Sequence, residues 1–373
     1  MNTEPFKKNQ SLEGLQYLRG IAALMVVFYH SRSYFGDVPD WTRIGSRGVD
    51  IFFVISGFIM AYATRHLADD VTAIKASLIF LSKRFIRVVP LYWVALLWAS
   101  SVYWINWVGA SGSLEELYLN ISPELISIAK DFLFIPHLSI DEDEQGEIFP
   151  VLIQGWTLNY EMFFYFIFAI AMLFRQYRLP LASLILVALV SMGQLHHFSD
   201  VIPQFYTSSI LIEFVFGMLV FEIYSKTQHL TFNRLPLLLL GTLGFLLLNS
   251  GSSVNDKLVL AVASAIIVWV FIQVFHGVHN GALKLLGDAS YSIYLFHLFF
   301  FGMARGLINY LELSPSGYLS IIFIILVQVI ISTAGGIVVF YLIEKPLLKT
   351  LRDMLGKVVA LWNRERISER AVQ

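Results

Sequence analysis

Two ionisable side chains, Arg19 and His30, lie inside the first apolar stretch of the chain. They are 11 residues apart, so in a helix they share one face, with about 16 Å between them along the axis. An imidazole inside an apolar helix can exchange protons near neutral pH, whereas an arginine at a helix end often extends its guanidinium to the membrane surface. The pair therefore indicates either proton-transfer chemistry within a membrane or two interfacial side chains.

Asp50 begins the second apolar stretch, a short segment after the first one ends. We expect it to lie level with His30, where a carboxylate would orient the imidazole and stabilise its protonated form, as a general base requires. An aspartate at a helix start also serves as an N-cap, which the helix dipole favours. The two interpretations are compatible.

A polar stripe occupies the fourth apolar stretch, where Gln154, Thr157, Glu161 and Tyr165 recur at helical spacing. Glu161 falls near the predicted membrane midplane, where a carboxylate must be protonated or paired with a cation. A hydrogen bond between helices is the structural alternative.

A second stripe, formed by Ser290, Tyr294 and His297, recurs at the same helical spacing. His297 again falls near mid-depth. A histidine satisfied within the core is the first expectation there, and a contact with substrate is the second.

Arg84 and Arg87 are i, i+3 neighbours at the start of the third apolar stretch. Together they would form a two-guanidinium clamp suited to phosphate or pyrophosphate. Cytoplasmic positive charge beside a membrane helix is the simpler interpretation of the same residues.

The composition places all these groups in a membrane protein. The 373-residue chain is 57% hydrophobic and 14% charged, whereas soluble domains carry about 25% charged residues. The chain has no cysteine, which excludes disulfides, thiolate nucleophiles and cysteine-ligated metals. A net charge of −1 gives no reason to expect nucleic-acid binding. No metal site and no nucleotide-binding or hydrolase signature is recognised.

Hydrophobic periodicity predicts an all-α fold, a polytopic bundle of about ten transmembrane helices. The predicted helices are 14–34, 48–66, 86–107, 150–174, 179–195, 205–225, 235–250, 257–276, 288–309 and 318–342. With both termini in the cytoplasm, 20 of the 26 basic residues lie at cytoplasmic ends. The acidic connection 108–149 then lies outside. Gly335 and Gly336 could break the last helix.

Five segments, taken together and in this order, resemble the pattern of acyltransferase family 3. They are Leu18-Arg19-Gly20 with His30, the run 48–58, Arg84-x-x-Arg87-x-x-Pro90-Leu91-Tyr92, the run 156–165, and the run 290–297. The resemblance implies ten helices and transfer of an acyl group, usually acetyl, from cytosolic acyl-CoA to a hydroxyl of a cell-envelope saccharide. It also implies that Arg19 and His30 are an essential pair. The transmembrane domain would span 1–345, with a basic cytoplasmic tail at 346–373.

The mechanism that we expect places the CoA nucleotide on Arg84, Arg87 and Arg19 and the thioester near His30. His30 would act as the base or carry the acyl group, with Asp50 or Glu161 orienting it. Tyr294, His297 and Tyr165 would contact the substrate or the developing oxyanion.

Acetyl-CoA is expected as a co-substrate rather than a tightly bound cofactor, and the acceptor as a lipid-linked or surface glycan. The site would lie in the bacterial inner membrane, among its lipids. A transporter or flippase for lipid-linked saccharides is the alternative function, and a non-catalytic assembly subunit is a third.

Overall fold

A computed structural model describes residues 12–32, 40–65, 72–110, 125–139, 146–250, 256–312 and 317–372. Within these ranges all regular structure is helical, which confirms the predicted all-α class. The helices are α1 (Glu13–Ser31), α2 (Gly48–Ala63), α3 (Ala73–Ala110), α4 (125–132), α5 (Gly155–Met172), α6 (Arg178–Leu195), α7 (Val201–Tyr206), α8 (Ile212–Thr227), α9 (Arg234–Ser250), α10 (Lys257–Val274), α11 (Gly281–Asp288), α12 (Ser290–Tyr310), α13 (Tyr318–Val339) and α14 (Lys345–Val372).

A helix is present at each of the ten predicted places, but the bounds differ. Six segments of the described chain are long and apolar enough to cross a membrane, so the protein is a multi-pass membrane protein. They are Arg43–Ala63, Arg175–Leu195, Val201–Thr227, Lys257–Val274, Ser290–Tyr310 and Tyr318–Trp362. The count of ten spans and the orientation of the termini stay predictions.

The largest difference is in α3, which begins at Ala73 rather than at residue 86. The prediction began where the charged residues end, yet a helix does not have to stop at the edge of its apolar part. The first turns of α3 pack on α5: Ser77 Oγ donates to the Ala169 carbonyl at 2.8 Å, and the rings of Phe80 and Phe168 are 5.4 Å apart. This packing positions Arg84 and Arg87 over the interior of the bundle.

Close helix contacts at glycines hold the centre of the bundle together. A Cβ on Gly57 of α2 would lie 2.2 Å from the carbonyl oxygen of Phe214, and one on Gly217 of α8 would lie 2.1 Å from that of Val54. Only glycine permits these backbones to touch, as is common between membrane helices. The contact places α2 in the middle of the bundle, with one face left for α1, α5 and α12.

The end of α13 differs from the expected break. The helix runs without interruption through Gly335 and Gly336, because Gly336 provides room for the backbone of Ile293 on α12. A π-helical turn, Phe340–Glu344, follows and leads into α14. This turn places Glu344, which is 1% exposed, inside the bundle.

A buried ion pair fixes the described part of the connection between α3 and α5. His137 Nε2 lies 2.9 Å from Asp131 Oδ1, and the Val151 amide donates to Asp131 Oδ2 at 2.8 Å. His137 Nδ1 lies 2.8 Å from the carbonyl of Leu138. Both ring nitrogens therefore face acceptors, which requires a protonated imidazole beside an ionised carboxylate.

The titration of this pair makes the connection sensitive to pH. Burial by itself would lower the pKa of His137, but its hydrogen bonds to Asp131 and Leu138 outweigh burial and raise that pKa above 6.5. Burial also raises the pKa of Asp131, against its hydrogen bonds with His137 and Val151. Both groups bind protons more tightly when folded, so stability falls as pH rises.

We therefore expect the contribution of His137 to the stability of the segment to be fully present below about pH 6.5 and to be lost as pH rises through its raised pKa. Hydrogen-exchange protection of the Val151 amide measures the opening. In His137→Gln, protection should be lower at pH 6 and should vary little up to pH 9. Protection that increases with pH in the unmodified protein would contradict the assignment.

Candidate active site

A cleft of about 810 Å³ opens among α1, α2, α3, α5 and α12. Its apolar walls come mainly from α2. Its polar lining consists of Arg19, Ser56, Arg84, Arg87, Thr157, Glu161, Tyr165, Ser290, Tyr291 and Tyr294. The structure thus brings six of the nine predicted site residues into one cavity: the three arginines, Glu161, Tyr165 and Tyr294.

One end of the cleft, the arginine end, carries Arg19, Arg84 and Arg87. Arg87 forms an ion pair with Glu344, and its guanidinium lies 5.6 Å from the centre of the Tyr291 ring. Glu344 also accepts a hydrogen bond from Ser292 Oγ at 2.5 Å. The charge of Arg87 is therefore compensated by a carboxylate distant in sequence.

Arg84 and Arg19 lack such a partner. No carboxylate oxygen of the described residues lies within the 4.0 Å of an ion pair with either guanidinium. Arg19 donates to Gln16 Oε1 at 3.2 Å, whereas the Nε atom of Arg84 is buried without any hydrogen-bond partner. A buried donor without an acceptor is unfavourable, so this end of the cleft is prepared for an anion.

Glu161 lies on the wall of the same cleft. It accepts hydrogen bonds from Ser56 Oγ, at 3.0 Å, and from the hydroxyl of Tyr165. None of its hydrogen bonds or ion pairs involves His30. The structure places Glu161 among the arginines, where its charge partly balances theirs, rather than beside the imidazole that it was expected to orient.

Tyr294 closes the other end of the cleft. Its hydroxyl lies 2.8 Å from Thr157 Oγ1 and 3.2 Å from the carbonyl of Gln154. Its ring packs against Phe52, with 5.9 Å between centroids. The Tyr294 hydroxyl therefore links α12 to α5 at the end of the cleft.

His30 and His297 form a pair directly beyond Tyr294. Their ring centroids are 5.0 Å apart, and the centroids of Tyr294 and His297 are 6.3 Å apart. Neither histidine lines the cleft itself. Arg19 and His30 of α1, and Tyr291, Tyr294 and His297 of α12, follow the site in the same direction, from the arginine end to the histidine pair.

Asp50 does not join this pair. Its carboxylate accepts from Lys257 Nζ at 2.8 Å and lies 4.0 Å from Arg47. Glu213, fully buried, is 3.6 Å from the same Lys257 nitrogen. Asp50 was predicted to lie level with His30 and to orient it. Its carboxylate instead pairs with Lys257, a lysine 207 residues away in the chain. Asp50 joins α2 to α10. His297 is fully buried, as a core histidine would be, but its Nε2 atom has no hydrogen-bond partner among the described residues.

Three residues of this region are not among the predicted site residues. Glu344 and Lys257 supply the counter-charges of Arg87 and Asp50. Arg352 on α14 interacts electrostatically with Arg84, Arg87 and Glu344 and adds positive charge at the arginine end. A signal was present for Glu344 and Lys257, since each is a charge at the end of an apolar stretch, and for Glu344 the sequence indicated a structural or topological role. No pattern identified Arg352 among the other basic residues of its helix.

Comparison with known families assigns this chain to a class of enzyme. A family profile described as an acyltransferase domain matches residues 12–344. The chain belongs to acyltransferase family 3. It is therefore an acyltransferase, and the resemblance inferred from the five motifs is confirmed.

Individual relatives are named for exopolysaccharide production or for acyl transfer. The exopolysaccharide production protein ExoZ of Rhizobium meliloti (strain 1021) is 34% identical over 326 residues, 82% of this chain and 90% of the relative. The putative membrane-bound transacylase BcsY of Komagataeibacter xylinus is 26% identical over 58% of this chain and 52% of its own. A putative O-acetyltransferase of Staphylococcus aureus (strain COL) is 34% identical over 25% of this chain and 14% of its own. No solved structure matches.

The structural role of Asp50 gives a direct test. Asp50→Asn and Lys257→Met should each lower the melting temperature in detergent, because each leaves a buried charge without its partner. The double variant should lose less stability than the sum of the two, by about 1 kcal/mol or more. An Asp50→Asn variant of normal stability but low turnover would instead return Asp50 to the catalytic group.

Proposed function

We propose that this family member transfers an acetyl group from cytosolic acetyl-CoA to a hydroxyl of an envelope polysaccharide. One observation carries the proposal: a cleft lined by Arg19 and Arg84, which have no ion-pair partner among the described residues, ends at Tyr294, directly beside a buried histidine pair. Such a cleft suits an elongated donor that is anionic at one end and reactive at the other. A flippase would not need this geometry. Membership of the acyltransferase family also supports acyl transfer over transport.

The arginine end would bind the diphosphate of CoA. Three guanidinium groups there face two carboxylates, Glu161 and Glu344, which leaves an excess of one positive charge. Guanidinium groups pair with phosphate through two parallel hydrogen bonds. Arg84 would be the first contact, because its buried Nε lacks an acceptor.

The middle of the cleft would hold the pantetheine arm. Its walls include Phe52, Ile55, Ile59, Val88 and Leu158, which offer an apolar passage. The distance from the arginine end to the histidine pair, measured along α1, is about 16 Å. An elongated arm is needed to cover this length, and CoA supplies one.

The histidine pair would carry out the transfer. His30 removes the proton of the acceptor hydroxyl, whose oxygen forms the new ester bond to the thioester carbonyl. The carbon–sulfur bond breaks, and the proton returns from His30 to the CoA sulfur. In the alternative route His30 carries the acyl group. The group passes first from the CoA sulfur to His30 and then from His30 to the acceptor hydroxyl, so the products are the same. Tyr294 lies between the cleft and the pair, and its hydroxyl would have to leave the Gln154 carbonyl to donate to the developing oxyanion.

Two further observations support the acceptor and the location. The relative ExoZ, which matches 82% of this chain, is named for exopolysaccharide production, and this name supports a polysaccharide hydroxyl as acceptor. The excess of basic residues at the ends that carry Arg19 and Arg84 supports a cytoplasmic position for the arginine end in a bacterial inner membrane. The acceptor would then reach the histidine pair from the opposite side.

The C-terminal region would be a basic tail on the cytoplasmic surface. In the structure α14 is a helix that packs along α3, with Leu348 buried and Lys75 4.6 Å from the ring of Trp362. This packing, together with Arg352 near the arginine end, supports a place for residues 346–373 beside the nucleotide.

Arg84→Gln should weaken acetyl-CoA binding about 10- to 100-fold, since a charge-assisted hydrogen bond contributes about 1.5–3 kcal/mol. The difference should shrink as salt concentration rises. Lys83→Gln, which removes an exposed charge one residue away, is the matched control and should change the affinity less than about twofold. Equal effects of the two variants would assign Arg84 to topology alone.

The activity itself is tested with radiolabelled acetyl-CoA, purified protein in lipid nanodiscs, and envelope polysaccharide from a strain lacking the gene. The unmodified protein should place base-labile label on the polysaccharide. His30→Ala should bind acetyl-CoA with unchanged affinity and transfer nothing. Label that stays on CoA or appears only as free acetate in the unmodified reaction would refute the proposed function.

A further inference from the structure

His297 is held in one tautomer. Its Nδ1 atom lies 2.6 Å from the carbonyl oxygen of Tyr294, which can only accept, so Nδ1 carries the hydrogen. In the neutral ring Nε2 is then a bare acceptor. That atom is buried and has no hydrogen-bond partner, in a residue that is 0% exposed. A buried acceptor in this state requires a donor.

Among the side chains that the structure shows in contact with His297, one ring can supply that donor. Phe301, at 5.6 Å, has no polar atom, and the hydroxyl of Tyr294 is engaged with Thr157 and Gln154. Ser332 contacts only the backbone, donating to the His297 carbonyl at 3.3 Å. His30, at 5.0 Å between centroids, is the neighbour with a ring N–H to give.

We propose that His297 is the positioning residue of His30. The two rings are adjacent but form no hydrogen bond in the structure; a rotation of the His30 ring would bring its N–H to Nε2 of His297 and keep the other His30 nitrogen free to take a proton. The proposal rests on the function proposed above. When His30 removes the hydroxyl proton, its positive charge is shared with Nε2 of His297, and the proton then passes to the CoA sulfur. No group is oxidised or reduced, and His297 ends each cycle as it began.

A neutral partner fits this part of the membrane better than a carboxylate. An ionised aspartate without a cation would be costly in the apolar core, and Asp50 is already bound to Lys257. The position of His297 is also rigid, since α12 and α13 touch through Gly336 and Ile293 one turn before it. A rotation of its ring would break the bond to the Tyr294 carbonyl.

Two variants of similar polarity separate positioning from packing. In His297→Gln the side-chain oxygen reaches the place of Nε2 and can still accept from His30. In His297→Asn the shorter amide reaches only the place of Nδ1, so it keeps the Tyr294 contact and removes the acceptor. We expect Asn to reduce kcat for acetyl transfer at least about 100-fold, with the KM for acetyl-CoA unchanged, and Gln to stay within about tenfold of the unmodified protein.

The same measurement is then made without His30. Adding His297→Asn to His30→Ala should reduce transfer no further, because the residue acts only through His30. Ser332→Ala, which alters a backbone contact of His297, is the matched control and should leave kcat within about twofold. Equal losses in Asn and Gln, no loss in either, or a further loss in the double variant would each overturn the proposal. If the unmodified protein transfers no label at all, the proposed function fails instead.

Discussion

The cost of placing ionised groups in an apolar bundle is the constraint on which the rest of this structure depends. A charge removed from water must be paired or must line a cavity. Arg87 meets this requirement through Glu344, whereas Arg84 has a buried Nε without any acceptor. These side chains line a cleft because they cannot be enclosed in hydrocarbon, and the excess of positive charge is the reason for proposing an anionic donor there.

The same constraint separates structural from functional charges. Where α2, α8 and α10 meet, Lys257 lies between two carboxylates, those of Asp50 and Glu213, and so holds these three helices together. Arg84 and the Nε2 atom of His297 are buried polar groups without partners, at opposite ends of one site. A buried polar atom without a partner is unfavourable. In the account proposed above, the diphosphate of CoA would complete Arg84, and the ring N–H of His30 would complete His297.

The sequence predicted the helices and one shared face well. The spacing of Arg19 and His30 placed both on the inner side of α1, because helical periodicity depends only on local geometry. The polar stripe of α5 correctly placed Thr157, Glu161 and Tyr165 on one wall of the cleft. These features follow from neighbours within one helix.

Partners distant in sequence could not be predicted in this way. Glu344 reaches Arg87 across 257 residues, and only because a π-helical turn redirects it inward. Lys257 similarly takes Asp50 away from His30. The approach of His30 to His297 depends on how α1 and α12 pack, which no spacing within either helix specifies. The tertiary structure therefore determines which charges are paired, and the spacing of residues within one helix does not.

The central claim is that one cleft holds the donor from its anionic end to the histidine pair. A structure of the protein bound to a non-hydrolysable acetyl-CoA analogue in lipid nanodiscs tests it most directly. The account predicts the diphosphate on Arg84 and Arg19, the arm along α2, and the acetyl group past Tyr294 beside His30. A nucleotide bound on another face of the bundle, or an acetyl group directed away from His30, would contradict it.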